Sequence, residues 1–121
     1  AAATHIGMYV TWALLTGLGD EAFVSLMPDR IDDLDVRRIT PGRFLFEDCD
    51  GKFVDTMLSD HGNAFTRWYY SGDMRQYLDD YFVSIPGRYP SLPHYPDTWA
   101  SFDALRPAID RRFDEWRARG D

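Results

Sequence analysis

Three histidines and one cysteine are the side chains with the most obvious chemistry in this 121-residue sequence. His5, His61 and His94 are far apart, and none belongs to an HExxH or HxH spacing that would bring two imidazoles to one metal ion. Cys49 has no second cysteine to pair with, and no local signature supplies the histidine base that a nucleophilic thiol needs. The sequence therefore predicts no metal ligand, no cofactor and no catalytic residue.

Two acidic motifs come closer to an ion-binding or catalytic pattern. Residues 48–51 begin like an EF-hand loop, but the acid, glycine and glutamate required later in such a loop are replaced by Lys, Phe and Ser. Asp79 and Asp80 are adjacent, and neighbouring side chains on a helix point about 100° apart, so we expect a solvated acidic face there. One alternative is a small enzyme whose site assembles from distant residues, with Asp79, Asp80 and Cys49 as the first candidates. The other alternative is a general protein-interaction module.

The net charge of −7 is concentrated in one third of the chain. Positions 20–60 hold eleven acids and five bases, a local charge of −6. Such a surface repels phosphate backbones and is unsuited to nucleic acid, whereas it would attract a basic protein by electrostatic steering. On composition alone we prefer the simpler interpretation, a solvated surface that keeps the protein soluble.

An aromatic anchor would complete a binding surface built on these acids. Trp68, Tyr69 and Tyr70 are consecutive, so they cannot all face the core from one helix, and we expect Tyr70 to point elsewhere. It either covers a neighbouring loop, the simpler alternative, or anchors an interface, a role in which tyrosine is enriched. The hypothetical partner-binding set is Asp32, Asp33, Asp35, Glu47, Asp48, Asp50 and Tyr70.

Helical spacing runs through every long segment and predicts an all-α fold. Residues 4–18 carry apolar side chains nearly all round, which is typical of a central, buried helix. Residues 86–96 contain four prolines and predict a loop packed on the body of the protein. We predict one compact domain over residues 1–121, with six or seven helices, little or no sheet, and the proline-rich loop before the C-terminal helices.

Side chains that can begin a helix precede several of these segments. They are Asp20, Thr40 with Pro41, Asp73, and Asp97 or Thr98. Residues 29–38 are predicted as a loop with a short helix, residues 53–58 are ambiguous between strand and helix, and Pro107 should begin or kink the last helix. The predicted core consists of Ile6, Val10, Leu14, Phe23, Phe44, Phe65, Trp68, Leu78, Phe82, Trp99, Phe102 and Phe113.

The sequence also bounds the compartment. No apolar stretch approaches the roughly 20 residues that span a bilayer, and no secretory signal is visible. A single cysteine fits a reducing environment, so we expect a cytoplasmic protein without a membrane partner. The sequence begins at Ala1 rather than Met, which leaves open a missing upstream segment.

Several stretches taken together resemble a family of small, uncharacterised bacterial proteins with a domain of unknown function, whose members look like the immunity proteins of toxin–antitoxin effector loci. The resemblance implies a cytosolic protein that neutralises a cognate toxin or effector by tight binding, with no catalytic residues carried over. An acidic inhibitor would suit a toxin with a basic cleft. The stretches, which cover nearly the whole chain, are residues 3–8, 12–13, 39–45, 49–53, 62–65, 69–70, 77–81, 97–99, 109–113 and 115–116.

Overall fold

The structure, a computed structural model, describes residues 4–71 and 75–119. Over these residues the chain is all-α, as predicted, and no strand is formed; one isolated antiparallel bridge joins Gly19 to Leu58. The α-helices are α1 Thr4–Leu15, α2 Glu21–Leu26, α3 Pro28–Asp35, α4 Pro41–Asp48, α5 Asp60–Tyr69, α6 Arg75–Ser84 and α7 Trp99–Ala118. Two short 3₁₀ helices lie at Asp55–Met57 and Leu92–His94.

Side-chain caps define where several helices begin. The Asp20 carboxylate accepts a hydrogen bond from the Phe23 amide, and the Thr40 hydroxyl accepts one from the Arg43 amide. Thr98, the second of the two candidates at its position, caps α7 in the same way. The predicted cap at Asp73 lies outside the described residues.

Helix α1 runs through the middle of the protein, with nine of its twelve residues buried. On one side of it, α5, α6 and α7 enclose a cluster rich in aromatic rings. On the other side, α3 and α4 enclose a smaller, mainly aliphatic cluster around Leu34, Phe44 and Leu45. Phe53 and Trp99 pack against both clusters, so the two sides form one continuous core.

Half of the predicted core is buried as expected, and one assignment is wrong. Val10, Leu14, Phe44, Phe65, Phe102 and Phe113 are buried, whereas Ile6, Phe23, Trp68, Leu78 and Trp99 are half-buried. Phe82 is 43% exposed, because Tyr77 and Tyr81, four residues apart on α6, take the inward positions. The hydroxyl of tyrosine makes it look like a surface residue, but its ring buries as readily as that of phenylalanine.

Three ambiguous segments also take definite form. The short helix predicted within residues 29–38 is α3, which begins at Pro28 and has two turns, and residues 53–58 contain a 3₁₀ helix and no hairpin. Pro107 neither begins nor ends a helix, because α7 continues through it to Ala118 as one element. The two C-terminal helices expected from the sequence are therefore a single long one. Its inner side, from Phe102 to Trp116, holds it against the rest of the core.

Candidate functional site

Half of the predicted partner-binding acids are neutralised within the protein. The Arg30 Nε lies 3.0 Å from each carboxylate oxygen of Asp48, and its terminal nitrogens lie 3.2 Å from Asp33 and 3.3 Å from Glu47. The hydrogen bond that Arg30 donates to Asp48 raises the pKa of Arg30. One arginine on α3 thus binds carboxylates from both α3 and α4 and ties the two helices together.

Two further arginines complete this cluster, which we call the Arg30 network. Arg43 bonds Glu47 at 2.8 Å, one helical turn away on α4, and Arg38 lies 3.4 Å from Asp33. The network therefore contains three arginines and three acids and carries no net charge. This local neutralisation weakens the sequence hypothesis that these three acids bind a partner.

The remaining predicted acids stay exposed. Asp50 makes only a 3.9 Å contact with Lys52, and both side chains face solvent. Asp32 and Asp35 have no ion-pair or hydrogen-bond partner among the described side chains, and neither does Asp29 on the same helix. Asp29, Asp32 and Asp35 follow at intervals of three residues, so they line one side of α3, the α3 acidic face.

Large apolar side chains are exposed on the elements next to α3. Leu26 ends α2 immediately before α3 and is 80% exposed, Val36 follows α3, and Phe46, 74% exposed, lies on α4, which packs against α3. The composition and charge of the sequence did not indicate these exposed side chains, because apolar side chains at helical spacing were expected in the core. Exposed leucine and phenylalanine side chains beside unpaired carboxylates are typical of protein-binding surfaces.

Tyr70 lies elsewhere in the molecule. It follows the last residue of α5, where its ring stacks on Tyr9 at 4.4 Å between centroids and meets Phe53 edge-on at 5.4 Å. It therefore covers a neighbouring loop, the simpler of the two predictions, and packs on the aromatic cluster rather than on α3 or α4. Together with Phe53 it lines an open cavity of about 350 Å³.

The three histidines and Cys49 have different neighbours in the structure. Burial lowers the pKa of His5, while His61 packs on Trp116 and His94 hydrogen-bonds Ser91. In the part of the chain that the structure describes, no group of three His, Cys, Asp or Glu side chains is arranged to hold a metal ion. Burial raises the pKa of the Cys49 thiol to about 11, so it is a poor nucleophile at neutral pH.

The structure corrects the expectation that Asp79 and Asp80 form a solvated acidic face. Asp79 is exposed as predicted, but Asp80 is 5% exposed and accepts hydrogen bonds from the Tyr69 hydroxyl at 2.7 Å and from Arg112 Nε at 3.0 Å. Hydrogen bonding to Asp80 raises the pKa of Arg112. A tyrosine and an arginine from two other helices satisfy this carboxylate, which makes it a structural residue.

Comparison with known proteins places the chain in a family. Residues 1–95 match the family described as Domain of unknown function (DUF7832), and the protein belongs to this family. No curated protein and no solved structure matches it. None of the helices that the structure describes has the length and apolar character needed to cross a membrane.

Proposed function

We propose that this protein binds a basic protein partner through the α3 acidic face, and that the partner is a toxin or effector which it neutralises in the bacterial cytoplasm. The observation that carries the proposal is a set of carboxylates on α3 that are unpaired among the described residues, with exposed apolar side chains on the neighbouring helices α2 and α4. The resemblance to immunity proteins supports a toxin or effector as the partner. The protein would act by binding this partner and not by catalysing a reaction.

The charge of the surface supports a basic partner. Of the eleven acids between positions 20 and 60, four form ion pairs with described residues and seven do not. Arg37, the base nearest to α3 outside the Arg30 network, bonds Asp103 on α7 instead. The α3 acidic face therefore keeps its charge, which would accelerate encounter with a basic surface and fix its orientation.

The exposed apolar side chains supply what charge alone does not. Acids at the rim of an interface mainly tune the association rate, whereas apolar side chains buried at its centre determine how long the complex lasts. Leu26 and Phe46 have the size and exposure for that role. Asp33, Glu47 and Asp48 instead hold α3 on α4 and keep the acidic face in place.

The first experiment identifies the partner. If the gene adjacent to this one encodes a toxin, its expression alone should arrest growth, and co-expression of this protein should restore it through a complex that co-purifies. A neighbouring product that is harmless alone, or one whose toxicity this protein leaves unchanged, would contradict the proposal.

The second experiment locates the interface on that toxin. Asp32→Lys should slow association about tenfold at low salt and flatten its salt dependence, because it removes a steering charge and adds a repulsive one. Asp79→Lys is the matched control, since Asp79 is also exposed and unpaired but lies on α6. Phe46→Ala should chiefly speed dissociation. Equal association rates for the two lysine variants would place the interface elsewhere.

A further inference from the structure

A cavity between α5 and the segment 53–55 combines charges of both signs with an aromatic floor. One wall is a single side of α5, where Asn63, Thr66, Arg67 and Tyr70 follow the i, i+3, i+4, i+7 spacing of one helical face. The other wall is the segment 53–55, so the cavity lies between a helix and the loop that leads into it. Its volume of about 350 Å³ is within the range of small-molecule sites.

The floor of the cavity is rigid. Asn63 Nδ2 donates to the carbonyl of Asp55 at 2.9 Å and to that of Leu58 at 3.2 Å, which fixes the loop to the helix. The Thr66 hydroxyl is buried and bonded to Gly62 and Tyr9. The Phe53 and Tyr70 rings meet edge-on at 83°, so the floor offers an apolar corner of two rings that does not need to form on binding.

The rim holds two charges that remain unsatisfied. The Arg67 guanidinium has no acidic partner among the described residues, and the Asp55 carboxylate has no basic one. Both line the same cavity, yet they do not form an ion pair with each other. Elsewhere on this protein, acids and arginines within reach do pair, as in the Arg30 network.

Tyr70 lines the same cavity as Arg67 and can add a hydroxyl donor to it. It has no hydrogen-bond partner among the described residues, and burial raises the pKa of Tyr70 to about 12. The phenol therefore remains protonated at neutral pH and can donate to a carboxylate. On the same α5 wall, Asn63 Oδ1 accepts no hydrogen bond from the described residues, and the amide nitrogen makes both bonds of that side chain.

From this geometry we infer that the cavity binds a small zwitterion of the amino-acid class with an aromatic or apolar side chain. Its carboxylate would bond Arg67 and Tyr70, its ammonium group would meet Asp55 and Asn63, and its side chain would lie on the Phe53 and Tyr70 rings. An uncharged ligand would pair with neither Arg67 nor Asp55, and a ligand with one charge would pair with only one of them.

Three probes that differ by one charged group test this inference by NMR titration of the full chain. L-phenylalanine carries both charges, 3-phenylpropionate lacks the ammonium group, and 2-phenylethylamine lacks the carboxylate. We expect L-phenylalanine to bind about tenfold more tightly than either analogue and to shift the amides of residues 53–55 and 63–71. No shift at millimolar concentration, or equal affinity for all three, would overturn the inference.

Two variants test which residue of the cavity binds each charged group of the ligand. Arg67→Gln should weaken binding of L-phenylalanine and 3-phenylpropionate but not that of 2-phenylethylamine. Asp55→Asn should weaken binding of L-phenylalanine and 2-phenylethylamine but not that of 3-phenylpropionate. Arg111→Gln and Asp79→Asn are the matched controls, because both residues are exposed, have no partner among the described residues and do not line the cavity. Parent-like binding by both cavity variants would place the ligand elsewhere and contradict the site.

Discussion

Asp80 shows how a single carboxylate holds three helices together. It lies on α6, and its partners Tyr69 and Arg112 come from α5 and α7. Arg112 also reaches Glu115 at 3.7 Å and is 29% exposed, so the guanidinium connects a buried acid to the surface. A buried carboxylate is tolerated only when such partners replace the water it has lost.

We predict that Asp80→Asn lowers the free energy of unfolding by about 2 to 3 kcal/mol, because Arg112 loses its charged partner while the amide still occupies the site. Urea denaturation followed by circular dichroism measures the change. Asp79→Asn, the exposed neighbour, should change stability by less than about 0.5 kcal/mol. A similar small effect of both substitutions would show that the buried bonds contribute little.

The second prediction at the residue scale concerns the reactivity of the Cys49 thiol. Since burial, with a smaller contribution from Asp48, raises the pKa of its thiol to about 11, very little thiolate exists at pH 8. Ellman's reagent at pH 8 should therefore label the folded protein about 100-fold more slowly than the protein unfolded in urea, and labelling should accelerate as the pH rises towards 11. Rapid labelling of the folded protein at pH 8 would contradict a buried thiol and revive Cys49 as a candidate nucleophile.

Among the elements, α1 and α4 make the closest contact. A Cβ atom placed on Gly7 would lie 2.5 Å from the carbonyl oxygen of Pro41 and 2.9 Å from its carbonyl carbon. These are backbone atoms at the first turn of α4, so they cannot move aside as a flexible side chain would. The missing side chain of Gly7 allows α4 to pack directly on α1.

We therefore expect Gly7→Ala to destabilise the protein by about 1 to 3 kcal/mol, although alanine favours a helix over glycine by about 1 kcal/mol. Thermal and urea unfolding would both report the loss. Gly17→Ala provides a comparison, because a Cβ there meets open space and only the positive φ of +87° opposes it. If Gly7→Ala proves neutral or stabilising, the close approach of α1 and α4 is not real.

At the scale of the whole molecule, the two core clusters depend on the same central helix. Tyr9 and Trp12 of α1 belong to the aromatic cluster, and Val10 and Leu14 belong to the aliphatic one. Loss of either side would expose half of α1 to water. The fold is thus expected to unfold as one unit, consistent with the single domain predicted from the sequence.

Two probes can test this cooperativity because they report on different clusters. Tryptophan fluorescence follows mainly the aromatic side, where Trp12, Trp68 and Trp116 lie, and the labelling rate of Cys49 follows the aliphatic side. We predict coincident urea transitions for both, with the same midpoint. A midpoint for Cys49 clearly below that of fluorescence would show that α3 and α4 unfold independently.

The sequence by itself determined the helical class of the protein and the places where several helices begin. Both follow from short-range physics: apolar spacing specifies a face, and caps such as Thr40 and Thr98 bond amides only three residues away. It also located the acidic third of the chain and the irregular proline-rich segment, since charge and proline content require no folding to be visible.

Only the tertiary structure decided which charges remain available and which side chains the core accepts. Arg30 and Asp48 are 18 residues apart in the sequence, and Asp80 and Arg112 are 32 apart. No local pattern in the sequence therefore indicates that these acids are paired. The exposure of Phe46 and the cavity that Tyr70 lines likewise depend on how separate elements pack. Pairing, burial and cavities are properties of distances through space, and a spacing along the chain determines those distances only within one element.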